Sequence, residues 1–551
     1  MRTFARTTVA LCALIAISTT GHPAHAADTP LVGHVSSAEE RAMEGVVVSA
    51  RRDGSTMTTS VVTDRDGRYQ FPAAKLAPGR YSIDVRAGGH RLPDAKTVTV
   101  AAGKTATVDL KLTRTDDVAS QLSNAEWMAS MPDTPERRQL INCTGCHTLE
   151  RIAKSTYSGD DFMQLIPRMN QYAPMSMPTR PQLPLGERQR TSAATGDGVR
   201  RLADYLASIN LNARETWAYP LKPAPRVTGR GTRVVITEYA MPNELAEPHD
   251  VIVDADGIVW WSNFGEQVLG RLDPKTGTVT EFAIPVRKDA APKGSLDLEL
   301  DDRGNLWIAN MFQAQIGRFD PRTEKFTFFT LPKEKENDRT QLTMVEPHHS
   351  SVDDKVWFSD VGTRHIFRLD LKSGQIEDID PFTVFPKGSS HSTYGLRTDA
   401  QNNLFYLDYA GESIGRIDAR TLAITIHQTP TKGSRPRRGS IDDKGRIAFG
   451  EFVGGKVGLF DTTTLEMKEW PGPDNFAPYD AVIDRNDELW SGGMNGDRVL
   501  RVDSRTGAST VYPLPRSTNV RRVFVDDRTK PVTVWIGNNH SGSILKIEPL
   551  D

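Results

Sequence analysis

The strongest constraint on this chain is that it repeats itself seven times between residues 225 and 551. Three patterns recur in the same order. The first is a strand running into Pro, as in ITEYAMP, VTEFAIP, FTFFTLP and TVYPLP. The second is a strand centred on Trp260, Trp307, Trp357, Phe405, Ala448, Trp490 and Trp535, positions 42 to 50 residues apart. The third reads GRLD, GRFD, FRLD, GRID, GLFD, LRVD and LKIE. A unit of about four short strands cannot bury its apolar face alone, so neighbours must stack, and this period predicts a seven-bladed β-propeller over 225–551. The strand RVVITEYAMP precedes the first full unit, and the last unit stops at LKIEPLD without an outer strand of its own. The first strand is therefore expected to complete the last blade and close the ring.

The remaining sequence divides in three. Residues 1–26 carry Arg2 and Arg6, an apolar run from Val9 to Ile17 and small residues at Ala24 and Ala26, the pattern of a secretory signal peptide. That predicts export to the periplasm and removes Cys12 from the mature chain. The apolar run is too short for a comfortable membrane span, so the protein is not expected to be membrane-embedded. With 68 Lys+Arg against 70 Asp+Glu, no global field points to nucleic acid.

Residues 28–115 alternate short strands with turns such as Asp66-Gly67 and Pro78-Gly79, which predicts a small β-sandwich. The string TDRDGRYQF, followed by PGRYSI, resembles carboxypeptidase regulatory-like domains. The resemblance implies a spacer or docking module, and nothing in the segment has catalytic character.

Residues 116–216 hold the other two cysteines, Cys143 and Cys146, in the run NCTGCHTLERI. Two thiols at this spacing add across the vinyl groups of one haem, and the adjacent His147 then reaches the iron. The other readings of the motif are a redox dithiol and half of a zinc site. The zinc site lacks a second Cys pair, and the dithiol lacks a thioredoxin-like βαβ pattern. The segments GDDFMQLIPRMNQY and GVRRLADYLASINL have helical spacing. The second, with Tyr205 and Leu206, resembles the closing helix of a monohaem cytochrome c. That resemblance implies an α-helical cytochrome c domain with one covalent haem c. It also implies a Met as second axial ligand: Met177, in a Met-Pro loop, with Met169 and Met175 as alternatives.

The propeller pattern, with its W-F-S-D and T-E-F-x-x-P elements, resembles virginiamycin B lyase over 225–551. The resemblance implies a His general base one strand ahead of a metal-associated Glu. Glu451 stands at the Glu position, but Arg437 stands where the base belongs, and a guanidinium stays protonated near neutral pH.

Two further sets of positions follow from the repeat register. Asn263, Asn310, Asp360, Asp408, Glu451 and Asn538 close the central strands, where they are candidates for Ca²⁺ or Mg²⁺ ligation or for turn hydrogen bonds. Ahead of the central strands lie His249, His348, His391 and Arg437, with Tyr394, Tyr479, Arg438, Arg521 and Arg522. These suit a transition metal, a polar channel mouth, or an anionic group.

Three functions follow. The first is an exported oxidoreductase that binds a small organic substrate at the propeller mouth and passes electrons through haem. The second is an electron carrier that docks to a redox partner protein, a dehydrogenase or terminal acceptor. The third is a carbon–oxygen lyase built on Glu451 with His348 or His391 as base.

Overall fold

The computed structural model describes residues 30–185, 196–212 and 219–551; the segment 1–26 expected to be a signal peptide, with Cys12, lies outside them. The chain is mainly β, with an N-terminal β domain and a β-propeller. Six four-stranded antiparallel sheets follow one another over 248–283, 298–330, 342–379, 393–428, 436–471 and 482–513. The seventh blade takes Val520–Asp526, Thr533–Asn538 and Ser543–Pro549 from the C-terminus and Val234–Ala240 from ahead of blade one. Val234 to Ala240 pair antiparallel with Pro549 to Ser543, so the ring closes as the repeat requires.

The closing strand's other edge is covered as well. Met57–Val62 of the N-terminal domain pairs along it, Val235 opposite Val61 and Tyr239 opposite Met57. One eight-stranded sheet thus runs from blade seven into the sandwich. Val47 and Val62 pack with Val234, Ile236 and Ile547 in a shared core. The second sandwich sheet holds Leu31–Ser37 between Arg68–Phe71 and Leu110–Arg114.

The repeated G-R-x-D motif has a steric and electrostatic cause. Its Gly faces a ring of the central strand: a Cβ on Gly270, Gly415 or Gly458 would lie 2.0 to 2.1 Å from Trp261, Tyr406 or Phe449. Its Arg covers the aromatic marker, with Arg271 5.8 Å from the Trp260 centroid and Arg501 4.9 Å from that of Trp490. Its Asp closes the following turn by accepting a backbone N–H two residues on, as Asp273 does from Lys275 (2.8 Å) and Asp320 from Arg322 (2.9 Å). Gly415→Ala is expected to lower stability by about 1–3 kcal/mol through overpacking against Tyr406. An unchanged urea midpoint would contradict that account of the motif.

The expectation of an α-helical cytochrome c domain over 116–216 is corrected here. The described residues hold five short helices: α1 (Asn124–Ser130), α2 (Pro135–Cys143), α3 (Glu150–Ala153), α4 (Gly159–Met169) and α5 (Asp197–Ser208). Ser123 and Ser158 cap α1 and α4 in capping boxes with Glu126 and Asp161. A small core of Trp127, Leu140, Phe162, Ala203 and Leu206 joins the helices. The loop after α4 does not complete that core. Ala173 and Met175 pack instead against Phe264, Met311, Tyr394, Tyr479 and Met494 of the propeller. The helical segment is a short elaboration seated on a β scaffold.

Candidate functional site

α2 delivers Cys143 at its C-terminus, and the next turn brings Cys146 and His147 back over it through backbone bonds to the Cys143 carbonyl (3.3 and 3.4 Å). These three residues line a cavity of about 710 Å³, within the range of small-molecule and cofactor sites. Its walls are largely apolar, with Phe162, Leu165, Ile166, Val199, Leu202 and Leu206, and Met177-Pro178 joins them from the loop after α4. Met169 also lines the cavity but is 40% exposed. Met175 does not line it; the side chain is 1% exposed in the propeller mouth. Burial pushes the Cys143 thiol up to about 12 and the Cys146 thiol up to about 11. Burial also lowers the His147 imidazole, whose Nδ1 lies 2.9 Å from the Thr148 carbonyl.

The cleft sits on one mouth of the propeller. At that mouth stand His249, Thr343, Tyr394, Arg437, Tyr479 and Arg521, each one residue beyond the first paired position of its blade, and Leu296, just ahead of the blade-two inner strand. The placement of His348 in this ring is corrected. In blade three Leu342 pairs with Asp360, as Pro248 pairs with Asn263 and Thr393 with Asp408, so Thr343 takes the position. His348 lies beyond the far end of that strand. It bonds Glu346 (2.8 Å) and lines a separate polar cavity of about 600 Å³ with Glu299 and Arg397.

His249 is fully buried, its Nδ1 2.7 Å from Asp250 and its Nε2 3.2 Å from the Tyr479 hydroxyl, and burial lowers it to about 4. Arg437 has no carboxylate within ion-pair distance among the described residues. Its guanidinium stands 3.9 Å from the Tyr479 ring, 4.4 Å from Phe452 and 4.7 Å from Tyr394 and Tyr409. His391, on the loop before blade four, holds Asp408 at 2.5 Å and stacks on Phe385.

Arg438 and Arg522 are not free to hold an anionic ligand. Arg438, fully buried, reaches Asp250 (2.7 and 2.9 Å) and Asp297 (2.6 Å); Arg522 reaches Asp250 (3.0 Å) and Glu299 (2.8 Å). Burial alone would raise Asp250, but Arg438, His249 and Arg522 hold it well below the usual carboxylate range. Burial leaves Asp297 well above that range despite the same Arg438. With Arg438 and Arg522, the carboxylates Asp250, Asp297 and Glu299, which the repeat register did not bring forward, form a buried charged layer.

The strand-end residues fasten loops. Asn263 Oδ1 accepts from Gly265 N (3.2 Å), Asp360 Oδ1 from Gln341 N (2.8 Å), Asp408 Oδ1 from Ser392 N (3.0 Å) and Asn538 Oδ1 from Asn519 N (3.1 Å). Asn310 Oδ1 accepts from Ser295 Oγ (2.9 Å). These bonds tie the ends of the central strands to neighbouring loops, and only that of Asn263 with Gly265 is local. Among the described residues no three His, Cys, Asp or Glu side chains converge on a common point. Glu451 is buried, and burial, with the Glu469 carboxyl nearby, raises it to about 8, while the Ser434 hydroxyl acts in the opposite direction.

Comparison with known families agrees with the two β regions. The carboxypeptidase regulatory-like domain family matches residues 30–113, and the virginiamycin B lyase family matches residues 294–541. The propeller is virginiamycin B lyase-like. Similar solved structures include selenomethionine-substituted virginiamycin B lyase from Staphylococcus aureus, at 21% identity and TM-score 0.48, over 57% of this chain and 98% of that one. A streptogramin B lyase structure follows at 22% and 0.49, over 58% and 99%. The catalytically inactive Staphylococcus aureus enzyme with quinupristin stands at 21% and 0.48, over 57% and 98%. No curated protein matches the chain.

Proposed function

We propose that this is an exported c-type haem protein that carries electrons to or from a redox partner protein, with the lyase-like propeller serving as the seat of the haem segment. The observation that carries this reading is the shared cavity: Cys143, Cys146, His147 and Met177 all line it, between apolar walls. A haem bound there supplies one-electron exchange, and a Met sulfur opposite His raises its potential. Cys143 and Cys146 would hold the porphyrin through thioethers, and His147 and Met177 would ligate the iron. The contact of His147 Nδ1 with the Thr148 carbonyl leaves Nε2 as the ligating nitrogen, and burial keeps the ring neutral, as a ligand must be.

Carriage is favoured over oxidation of a small organic substrate at this mouth, because Ala173 and Met175 already fill it. The same filling, with Arg437 in place of a base, argues against lyase chemistry. The test is a visible spectrum of protein from the exported fraction, with parallel incubation of a streptogramin. The reading expects a c-type spectrum that cycles between oxidised and reduced forms and a streptogramin left cyclic. A haem-free protein that linearises the streptogramin would overturn it.

A further inference from the structure

The two loops that line the cavity with His147 and with Met177 both hang from the same propeller mouth. On the His147 side, Asn519 Nδ2 donates to the Thr144 carbonyl (3.1 Å) and Arg521 Nη2 to the Gly145 carbonyl (2.9 Å). Both side chains are buried, and Asn519 Oδ1 in turn accepts from Arg521 Nε (2.5 Å). Asn519 also donates to the Met494 carbonyl (3.1 Å), which fixes its amide to blade six. The start of α1 is tied to the same blade, Ala125 N donating to the Asn495 carbonyl (2.9 Å).

On the Met177 side, the turn Met177–Arg180 is closed by Arg180 N donating to the Met177 carbonyl (3.0 Å). The Arg180 guanidinium pairs with Glu266 and donates to the Leu245 carbonyl (2.9 Å). Glu266 is itself held by Asn263 Nδ2 (2.8 Å). Gln182 donates to the Gly265 and Lys293 carbonyls (3.1 Å each) and accepts from Lys293 N (2.7 Å). Within the loop, Gln182 also closes onto Ala173 and Ser176, while Met175 is sunk in the mouth.

The helices alone do not make these connections. The spacing between the two loops is therefore carried by a rigid ring of closed blades, and not by the five short helices. We infer that the propeller mouth is a clamp for the haem's two axial-ligand loops, with Asn519 and Arg521 positioning the His147 side and Arg180 and Gln182 the Met177 side. This rests on the haem reading above. It assigns the lyase-like mouth a use in setting the coordination and potential of a cofactor, in place of binding a substrate. Ligand geometry depends on such supporting contacts as much as on the ligands themselves.

The test uses the full-length exported protein and a charge exchange. Arg180→Glu sets two carboxylates together and releases the Met177 turn. It is expected to keep the covalent haem while losing the weak far-red band of Met-ligated ferric haem, with a fall in reduction potential. Arg180→Glu combined with Glu266→Arg is expected to restore both band and potential. A merely destabilising substitution gives no such recovery. Arg521→Gln is expected to shift the potential while leaving the Met band in place, because it acts on the other loop. Band and potential unchanged in both Arg180→Glu and Arg521→Gln would overturn the clamp. A parent protein without haem fails at the first spectrum, and that is failure of the haem reading itself.

Discussion

Replacing both Cys143 and Cys146 by Ser is expected to abolish haem that survives denaturation, from full occupancy to none, while the propeller keeps its fold. The two losses separate because the thiols belong only to the cleft. The blades are closed by main-chain pairing from Val234–Ala240 to Ser543–Pro549 and by aromatic clusters that the cysteines do not enter. Without the proposed haem in this cavity of about 710 Å³, α2, α4 and α5 are expected to lose much of what they face. The helical segment is therefore expected to become the first site of limited proteolysis, with a resistant fragment corresponding to the propeller. Acid extraction of the haem and mass analysis of the proteolytic fragments check both halves. Haem retained by the doubly substituted protein would contradict thioether attachment. Loss of the propeller fragment would contradict the independence of the blades.

The largest effect on stability is expected from Arg438→Met. Arg438 is fully buried and compensates both Asp250 and Asp297, whose own surroundings offer no solvent. Removing one partner of a buried ion pair leaves an uncompensated charge, which costs about 3–5 kcal/mol. The pH dependence has a definite sign. In the parent protein Asp250 is held well below the usual carboxylate range, so its stabilising contribution is present above the unfolded-state value and is lost only as pH falls through the depressed one. In the variant Asp250, left with Arg522 as its remaining guanidinium, must take up a proton to stay buried, and that is costly at pH 7 but cheap near pH 4. The gap in unfolding free energy between parent and variant is therefore expected to narrow as pH falls from 7 to 4. Urea titrations at the two pH values measure it. A gap that widens in acid would contradict the assignment of Arg438 as the charge that holds these carboxylates.

Much of the architecture was legible because each repeat marker has one physical job. The Gly of G-R-x-D admits one ring, the Arg covers the neighbouring aromatic marker, and the Asp ties the turn, so the motif recurs in register even where single positions vary. Closure of the ring was legible from the missing outer strand after Lys546. The docking of the N-terminal domain on that same closing strand was not, because main-chain pairing between Val61 and Val235 leaves no side-chain signature.

The helical segment misled for a related reason. GDDFMQLIPRM has helical spacing and does form a helix, but local spacing does not say whether the next loop packs on helices or on another domain. Met175 is the decisive residue: it is one of three methionine candidates, and nothing in its sequence neighbours points to the propeller mouth. His348 is displaced because blade three has a longer turn between its inner strand, Leu342–Glu346, and its central strand, Lys355–Asp360, than the other blades have, so counting back from Trp357 lands in the turn. One signal was available and passed over. The inner strands HDVIV, LDLEL, RRGSI, YDAVI and RRVFV carry charged residues inside apolar runs, and those residues build the axial layer around Arg438.

The central claim is that Cys143 and Cys146 carry a covalent haem between His147 and Met177. Its most direct test is the intact mass of the exported, mature protein in denaturant. The account predicts a chain heavier than its mature polypeptide by one haem, with the added mass confined to the peptide spanning Cys143 to His147. A mass equal to the bare polypeptide, with both thiols free to alkylating reagent, would contradict it.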